Sequence, residues 1–179
     1  RARSFYLEIM MEHLIDGLLE KLALSRANLL YSGGGHCYLL LPNTDRVRRM
    51  TDAYLQEVNQ WFLKQFAASL YIAGAYVPCS GDALQNHPEG SYSGLFRELG
   101  SKISAKKLRR YTAAEIREMN RKWAGDYTKE CKVCHEVGEA DAEGVCSLCR
   151  KLEQLSQKVL YGRFFTVLLG DRENGLPLP

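Results

Sequence analysis

No run of apolar residues in this chain approaches the roughly 20 that span a bilayer. The N-terminus also has none of the basic, apolar, small-residue order that marks a secretory signal. These two absences give the expectation of a cytoplasmic protein without membrane association. Charge of one sign is scarce too: 24 Lys and Arg against 21 Asp and Glu leave +3 over 179 residues. A balance this mild gives no reason by itself to place the chain on nucleic acid, so local clusters have to carry such a claim. An initiator Met is missing as well, the chain starting at Arg1 and stopping in the linker-like Gly175-Leu176-Pro177-Leu178-Pro179. The expectation is a piece of something longer.

Cysteine is sparse but concentrated. Of six, Cys131, Cys134, Cys146 and Cys149 form two Cys-x-x-Cys pairs on either side of an acidic, glycine-containing loop. Each pair points two thiolates inward, and two pairs supply a closed tetrahedral set for Zn²⁺. Redox chemistry by one pair would leave the other unexplained. A site with four thiolates has no open position for water, so its expected work is to fold a segment too small for its own core. His135, next to a ligand cysteine, is an alternative donor in a three-cysteine site. Cys37 and Cys79 sit in strand-like apolar contexts and read as small core residues.

The chain is organised around Tyr31-Ser32-Gly33-Gly34-Gly35-His36. Apolar runs of strand length, Ala27–Tyr31 and Cys37–Leu41, flank three glycines, which reads as a β-hairpin. Glycine accepts positive φ and lets a phosphate or a second backbone come close, so Ser32, Gly33, Gly34 and Gly35 form a candidate nucleotide-binding tip. The alternative is that the glycines only make the turn.

Before the hairpin, Leu7, Met11, Leu14, Leu18 and Leu22 recur at spacings of three and four, with Ile15 and Leu19 widening the stripe, and predict an amphipathic helix over 4–24. After it, Asn43 or Thr44 caps a helix whose buried face is Val47, Met50, Tyr54, Val58, Phe62 and Phe66. Residues 69–79 then read as a strand, with Gly74 a bulge and Pro78 its end. Helix, strand, strand, helix, strand is a split βαββαβ unit lacking its first strand, an α+β, ferredoxin-like palm of the nucleotide cyclase or polymerase type. A basic helix over 95–110 carries Lys102, Lys106, Lys107, Arg109 and Arg110. Thr112-Ala113-Ala114-Glu115 has the form of a capping box opening another helix that runs to about Trp123. Residues 163–169 are strand-like. The expected divisions are a palm-like domain at 1–80, basic connecting helices at 81–125, a four-cysteine zinc module at 126–162, and the start of a further strand region or linker at 163–179.

Taken together, Arg3-Ser4-Phe5-Tyr6-Leu7-Glu8 opening a helix, Tyr31 to His36 before Leu39-Leu40-Leu41-Pro42-Asn43, and the double Cys-x-x-Cys before a Leu-rich helix resemble the large, polymerase- and cyclase-like subunit of type III-A (Csm) CRISPR effector complexes. The resemblance covers nearly the whole chain and implies the first of two palms plus the zinc segment that precedes the second. It implies antiviral defence as the setting, with other effector subunits, guide RNA, target RNA and the second palm as partners. In that family the second palm carries a Gly-Gly-Asp-Asp hairpin that makes cyclic oligoadenylates from ATP with Mg²⁺, and a separate histidine-aspartate domain cuts single-stranded DNA. Neither element is in this sequence.

Nucleotidyl transfer needs carboxylates at the hairpin to hold metal ions about 3.5–4 Å apart, and this hairpin has none. The expectation is a palm inactive alone that lends ATP contacts to a neighbour. Three other readings stand beside it. One is a zinc-containing nucleic-acid-binding scaffold module using Lys102 to Arg110. Another is an active diguanylate-cyclase-type enzyme, which needs the missing acids. The last is an α+β domain with zinc and no nucleotide site.

Overall fold

A computed structural model describes residues 2–121, 129–168 and 175–179. Its contacts divide the chain into two compact units. One comprises Arg1–Leu19, Ser25–Leu39 and Arg121–Pro179; the other comprises Glu20–Leu24 and Leu40–Asn120.

The first unit is built on helix α1 (Ala2–Lys21), which buries Ala2, Tyr6, Met10, Leu14, Ile15, Leu18 and Leu19. Every fourth residue from Ala2 to Leu18 lies on one line, as the helical period requires. The expected stripe is therefore rotated by one residue in its first two turns: Tyr6 and Met10 are buried, whereas Leu7 is 43% exposed. Both faces of those turns are apolar, and C-terminal residues meet the one that is buried at Tyr6. The Tyr6 hydroxyl donates to the Pro177 carbonyl, and Phe5 meets Phe165 edge-on with centroids 6.2 Å apart. His13 Nε2 lies 2.8 Å from the Pro179 carbonyl oxygen.

Strands β1 (Leu29–Gly33) and β2 (His36–Leu39) pair antiparallel, with Tyr31 opposite Tyr38, Ser32 opposite Cys37 and Gly33 opposite His36. The two-residue loop Gly34-Gly35 has φ of +58° and +75°. Positive φ at both loop positions matches the right-handed strand twist and favours glycine, so the expected hairpin forms with its turn at Gly34 and Gly35.

The second unit centres on α2 (Asp45–Phe66), whose N-cap is Thr44: its Oγ1 accepts the Val47 N–H at 3.3 Å. Thr51, Val58 and Phe62 are its buried residues, and Trp61, Phe62 and Phe66 pack ring against ring. The strand expected at 69–79 does not form. Residues 70–79 have no regular structure, and among the described residues the sheet has two strands. The backbone there bonds to side chains instead of to a neighbouring strand. Asn59 on α2 both donates to the Ile72 carbonyl and accepts from its N–H, at 2.9 Å each, and Lys102 donates to the Tyr76 carbonyl. Gly74 is a point of close approach rather than a bulge, since a Cβ there would lie 2.4 Å from Leu55 Cδ1. Cys79 is exposed, so the core role expected of it is corrected.

After the short α3 (Gly81–Leu84), α4 (Ser91–Lys107) carries Lys102, Lys106 and Lys107, whereas Arg109 and Arg110 of the expected basic helix lie beyond its end. Lys102 also pairs with Glu98, Lys106 pairs with Asp52 and lies over the Tyr76 ring, and the Arg110 guanidinium lies over Tyr71. Much of the positive charge is thus engaged within the unit. Helix α5 (Ala113–Arg121) opens on the expected capping box. Thr112 N–H donates to Glu115 Oε2 at 2.7 Å, and Glu115 N–H donates back to Thr112 Oγ1 at 3.2 Å. Trp123, the expected end of that helix, lies outside the described residues.

In the first unit, α6 (Ser147–Tyr161) follows the cysteine segment. Residues 163–168 are not paired as a strand, and Leu169 lies outside the described residues. No helix of the described residues is long and apolar enough to cross a membrane.

Candidate functional site

The two Cys-x-x-Cys pairs converge. The sulfurs of Cys131, Cys134, Cys146 and Cys149 all lie within 4.8 Å of one another, and Cys134 and Cys146 are 3.8 Å apart. A tetrahedron with metal–sulfur bonds of about 2.3 Å has edges of about 3.8 Å, whereas a disulfide needs sulfurs about 2.05 Å apart. All four are free thiols, and the donor set fits a closed metal site. Among the described residues it is the one group of three or more potential ligands gathered closely enough to hold a metal ion.

Local structure explains the convergence. Cys131 N–H donates to the Glu136 carbonyl and His135 N–H to the Cys131 carbonyl, both at 2.9 Å, closing a tight turn around the first pair. His135 takes the left-handed conformation, φ +63°, and its Nδ1 lies 2.6 Å from Glu130 Oε1. It is outside the thiol cluster, which answers the three-cysteine alternative. The second pair is set by α6: Cys146 is its N-cap, and Cys149 sits in its first turn and is buried.

Backbone N–H groups favour thiolate at Cys131. Those of Cys146, at 3.3 Å, and Val133, at 3.5 Å, point at its sulfur, and its pKa is pulled down to about 6, the Cys146 bond first among the causes. Burial pushes Cys149 up to about 12 and Cys134 upward. A bound cation would reverse that burial effect, because a coordinating thiol is deprotonated.

Two arginines complete the surroundings, and the cysteine spacing alone announces neither. Arg150 on α6 donates from Nε and Nη2 to Asp141 Oδ2, at 3.0 and 2.7 Å, and also reaches Glu143 and Glu153. Asp141 Oδ1 in turn accepts the N–H groups of Glu143 and Val145, so one arginine and one aspartate fold the acidic loop between the pairs. The Val145 N–H, followed by Arg150, holds the Asp141 carboxyl below the usual carboxylate range. Arg3 of α1 donates to Cys149 Sγ at 3.5 Å and to the Val133 carbonyl at 3.4 Å, touching both halves of the cluster. Such outer partners orient ligands and offset thiolate charge.

At the hairpin, the tip is exposed, and a Cβ built at Gly34 or Gly35 would meet nothing within 4 Å. Gly33 has an internal reason: a Cβ there would lie 2.8 Å from the Tyr31 hydroxyl oxygen. Ser32 is half-buried, and its hydroxyl donates to Glu12 Oε1 at 2.8 Å. Glu12 Oε2 accepts from Arg26 at 2.6 Å, and Arg26 Nε donates to Asp16 at 2.8 Å. Arg26, then Ser32, lowers the Glu12 pKa. Sequence reasoning placed no acid at the hairpin; the fold brings Glu12 to Ser32 from 20 residues away. Both Glu12 oxygens are occupied by these partners. The arrangement fastens a loop to a helix.

The family model described as the Csm1 subunit domain B matches residues 1–122. The CRISPR system single-strand-specific deoxyribonuclease Cas10/Csm1 (subtype III-A) of Mycobacterium tuberculosis is 46% identical over 197 aligned residues, covering 100% of this chain and 24% of that protein. Crystal structures of a Csm1–Csm4 cassette in complex with one ATP and with cA4 each match with a TM-score of 0.58 and 27% identity. Each match covers 67% of this chain, and 16% and 17% of theirs respectively. The chain spans about a quarter of the length of the curated relatives it matches.

Proposed function

The chain belongs to the Csm1 subunit domain B family, and from that premise we propose that it acts within a Cas10/Csm1 subunit of a cytoplasmic type III-A CRISPR effector as a non-catalytic, palm-like segment. Its hairpin tip, Gly33 to Gly35, lends contacts to ATP, while Ser32, whose hydroxyl is bonded to Glu12, fixes the hairpin; a second palm in the same protein supplies the acidic residues and Mg²⁺ for oligoadenylate synthesis. The supporting observation is the hairpin itself. Its exposed tip is open at Gly34 and Gly35, no group of three or more metal ligands is gathered at it among the described residues, and Glu12, the carboxylate bonded to Ser32, has its other oxygen on Arg26. Backbone N–H groups of such a turn can meet a nucleotide, but nothing there would hold a pair of metal ions.

Cys131, Cys134, Cys146 and Cys149 would hold one Zn²⁺ in a structural role, a reading supported by a soft donor set with no position left for water. When bound, the metal supplies folding free energy to the segment between the pairs. The matched cassettes pair Csm1 with Csm4, so a Csm4-type subunit is the first partner to test. Guide and target RNA are reached through the assembled complex.

The test is direct. Incubated with ATP and Mg²⁺, the isolated chain makes no oligoadenylate, while the full-length protein in its complex does. Robust product from the chain alone would overturn the assignment.

A further inference from the structure

Strand alternation gives the hairpin two unlike faces. Ser32 and its cross-strand partner Cys37 share one, which looks to α1: both are half-buried, and the Ser32 hydroxyl is bonded to Glu12. Tyr31, Gly33, His36 and Tyr38 share the other. Tyr31 is 53% exposed there, with its ring 6.0 Å from that of Tyr38 and tilted 38° to it. Gly33, having no side chain, leaves room for the hydroxyl end of the Tyr31 ring, which lies 2.8 Å from where a Cβ at position 33 would be. No acidic side chain belongs to this face to repel a phosphate.

Deepening the ATP-contact reading, on which this rests, we propose that the Tyr31 face of the hairpin is a nucleobase platform: Tyr31 stacks the purine ring of an adenine nucleotide, and Ser32 anchors the hairpin from the opposite face instead of touching ligand. An exposed tyrosine offers a large rigid π-surface at little conformational cost, and stacking on it needs no particular hydrogen-bonding edge. The adjacent turn leaves room for the sugar and phosphates beyond the ring, because a Cβ at Gly34 or Gly35 meets nothing. The Ser32 hydroxyl has its proton committed to Glu12 and so is poorly placed to donate to a phosphate.

The experiment measures equilibrium binding of ATP and of ribose 5-triphosphate, which has no base, to the full-length protein carrying Tyr31→Ala, Tyr31→Phe, Ser32→Ala or Gly34→Asp. Tyr31→Ala weakens ATP by about five- to a hundredfold, while Tyr31→Phe stays within about twofold of wild type. Tyr31→Ala leaves ribose 5-triphosphate unchanged. Ser32→Ala lowers the melting temperature and leaves ATP affinity within about twofold. Gly34→Asp puts a negative charge at the tip, in a conformation aspartate tolerates, and weakens both ligands. If Gly34→Asp weakens ATP and Tyr31→Ala does not, the platform is overturned and the ATP-contact reading survives. If no hairpin variant changes ATP affinity, both fall. Should Tyr31→Ala leave ATP affinity intact but release a protein partner, the face is a protein interface and the proposal fails.

Discussion

The side-chain amide of Asn59 grips the backbone of Ile72 at both ends, donating to its carbonyl and accepting from its N–H at 2.9 Å. A neighbouring strand would offer the same pair of groups, so one residue of α2 stands in for a strand edge. Replacing Asn59 with Ala leaves two part-buried backbone groups without these partners, at about 1–3 kcal/mol each. Asn59→Ala is therefore expected to destabilise the second unit by about 2–6 kcal/mol. Asn59→Asp keeps the acceptor but sets oxygen against the Ile72 carbonyl, and gives no rescue. Urea denaturation followed by Trp61 fluorescence checks this; an unchanged midpoint for Asn59→Ala would show the backbone at Ile72 to be held by other means.

This relationship also marks where the sequence stops being readable. Thr44, the Thr112–Glu115 box, the Gly34-Gly35 turn and the two Cys-x-x-Cys pairs were legible because each is fixed by residues within a few positions of one another. The apolar alternation at 69–79 reads as a strand only if a strand lies beside it, and no local signal says that Asn59 takes that place. The α1 stripe holds at Leu14, Ile15, Leu18 and Leu19 and departs from its expected line only in the first two turns, for a similar reason. With apolar residues on both faces of its first turns, spacing does not distinguish Tyr6 and Met10 from Leu7 and Met11, and the partner of Tyr6, the Pro177 carbonyl, is more than 150 residues away. Glu12 at Ser32 and Arg3 at Cys149 are long-range pairings of common residues, invisible to spacing.

Helix α1 ends without glycine. Ala23, two residues beyond it, has φ of +55° and donates its N–H to the Glu20 carbonyl at 2.9 Å. That conformation suits a helix stop but crowds a Cβ, at about 1 kcal/mol for an L-residue. Ala23→Gly is expected to raise stability by up to about 1 kcal/mol, reduced by the added freedom of glycine in the unfolded chain. A thermal melt showing a loss instead would mean that the methyl group contributes packing greater than this strain.

For the cysteine cluster, metal analysis should return one zinc per chain, and chelation should make the segment between Cys131 and Cys149 sensitive to protease. Cys131→Ser removes a ligand that receives two backbone N–H bonds, and should abolish binding. Arg3→Ala and Arg150→Ala leave all four thiols in place. They should keep the stoichiometry but speed metal transfer to a chromogenic chelator, with affinity falling about 10–100-fold as outer partners are lost. Transfer rates equal to wild type in both variants would reduce these arginines to surface contacts.

The hairpin anchor carries its own pH dependence. Glu12 has a folded-state pKa below the ordinary glutamate value of about 4.3, chiefly through Arg26 and then Ser32. A carboxylate shifted downward stabilises the fold at pH values above its unfolded pKa, and that contribution is lost as pH falls through the folded one. Hydrogen exchange at the β1 and β2 amides should therefore quicken as pH drops below about 4.3, beyond the intrinsic pH trend. In Glu12→Gln the same amides should be less protected at pH 7 and show no such extra loss on acidification. Because the Glu12–Arg26 pair is partly exposed, the term is less than about 1 kcal/mol, so protection changes by at most about fivefold. Identical pH profiles for wild type and Glu12→Gln would mean that the Glu12 carboxylate does not hold the hairpin to α1, and that the Ser32 hydroxyl is free to turn toward a ligand.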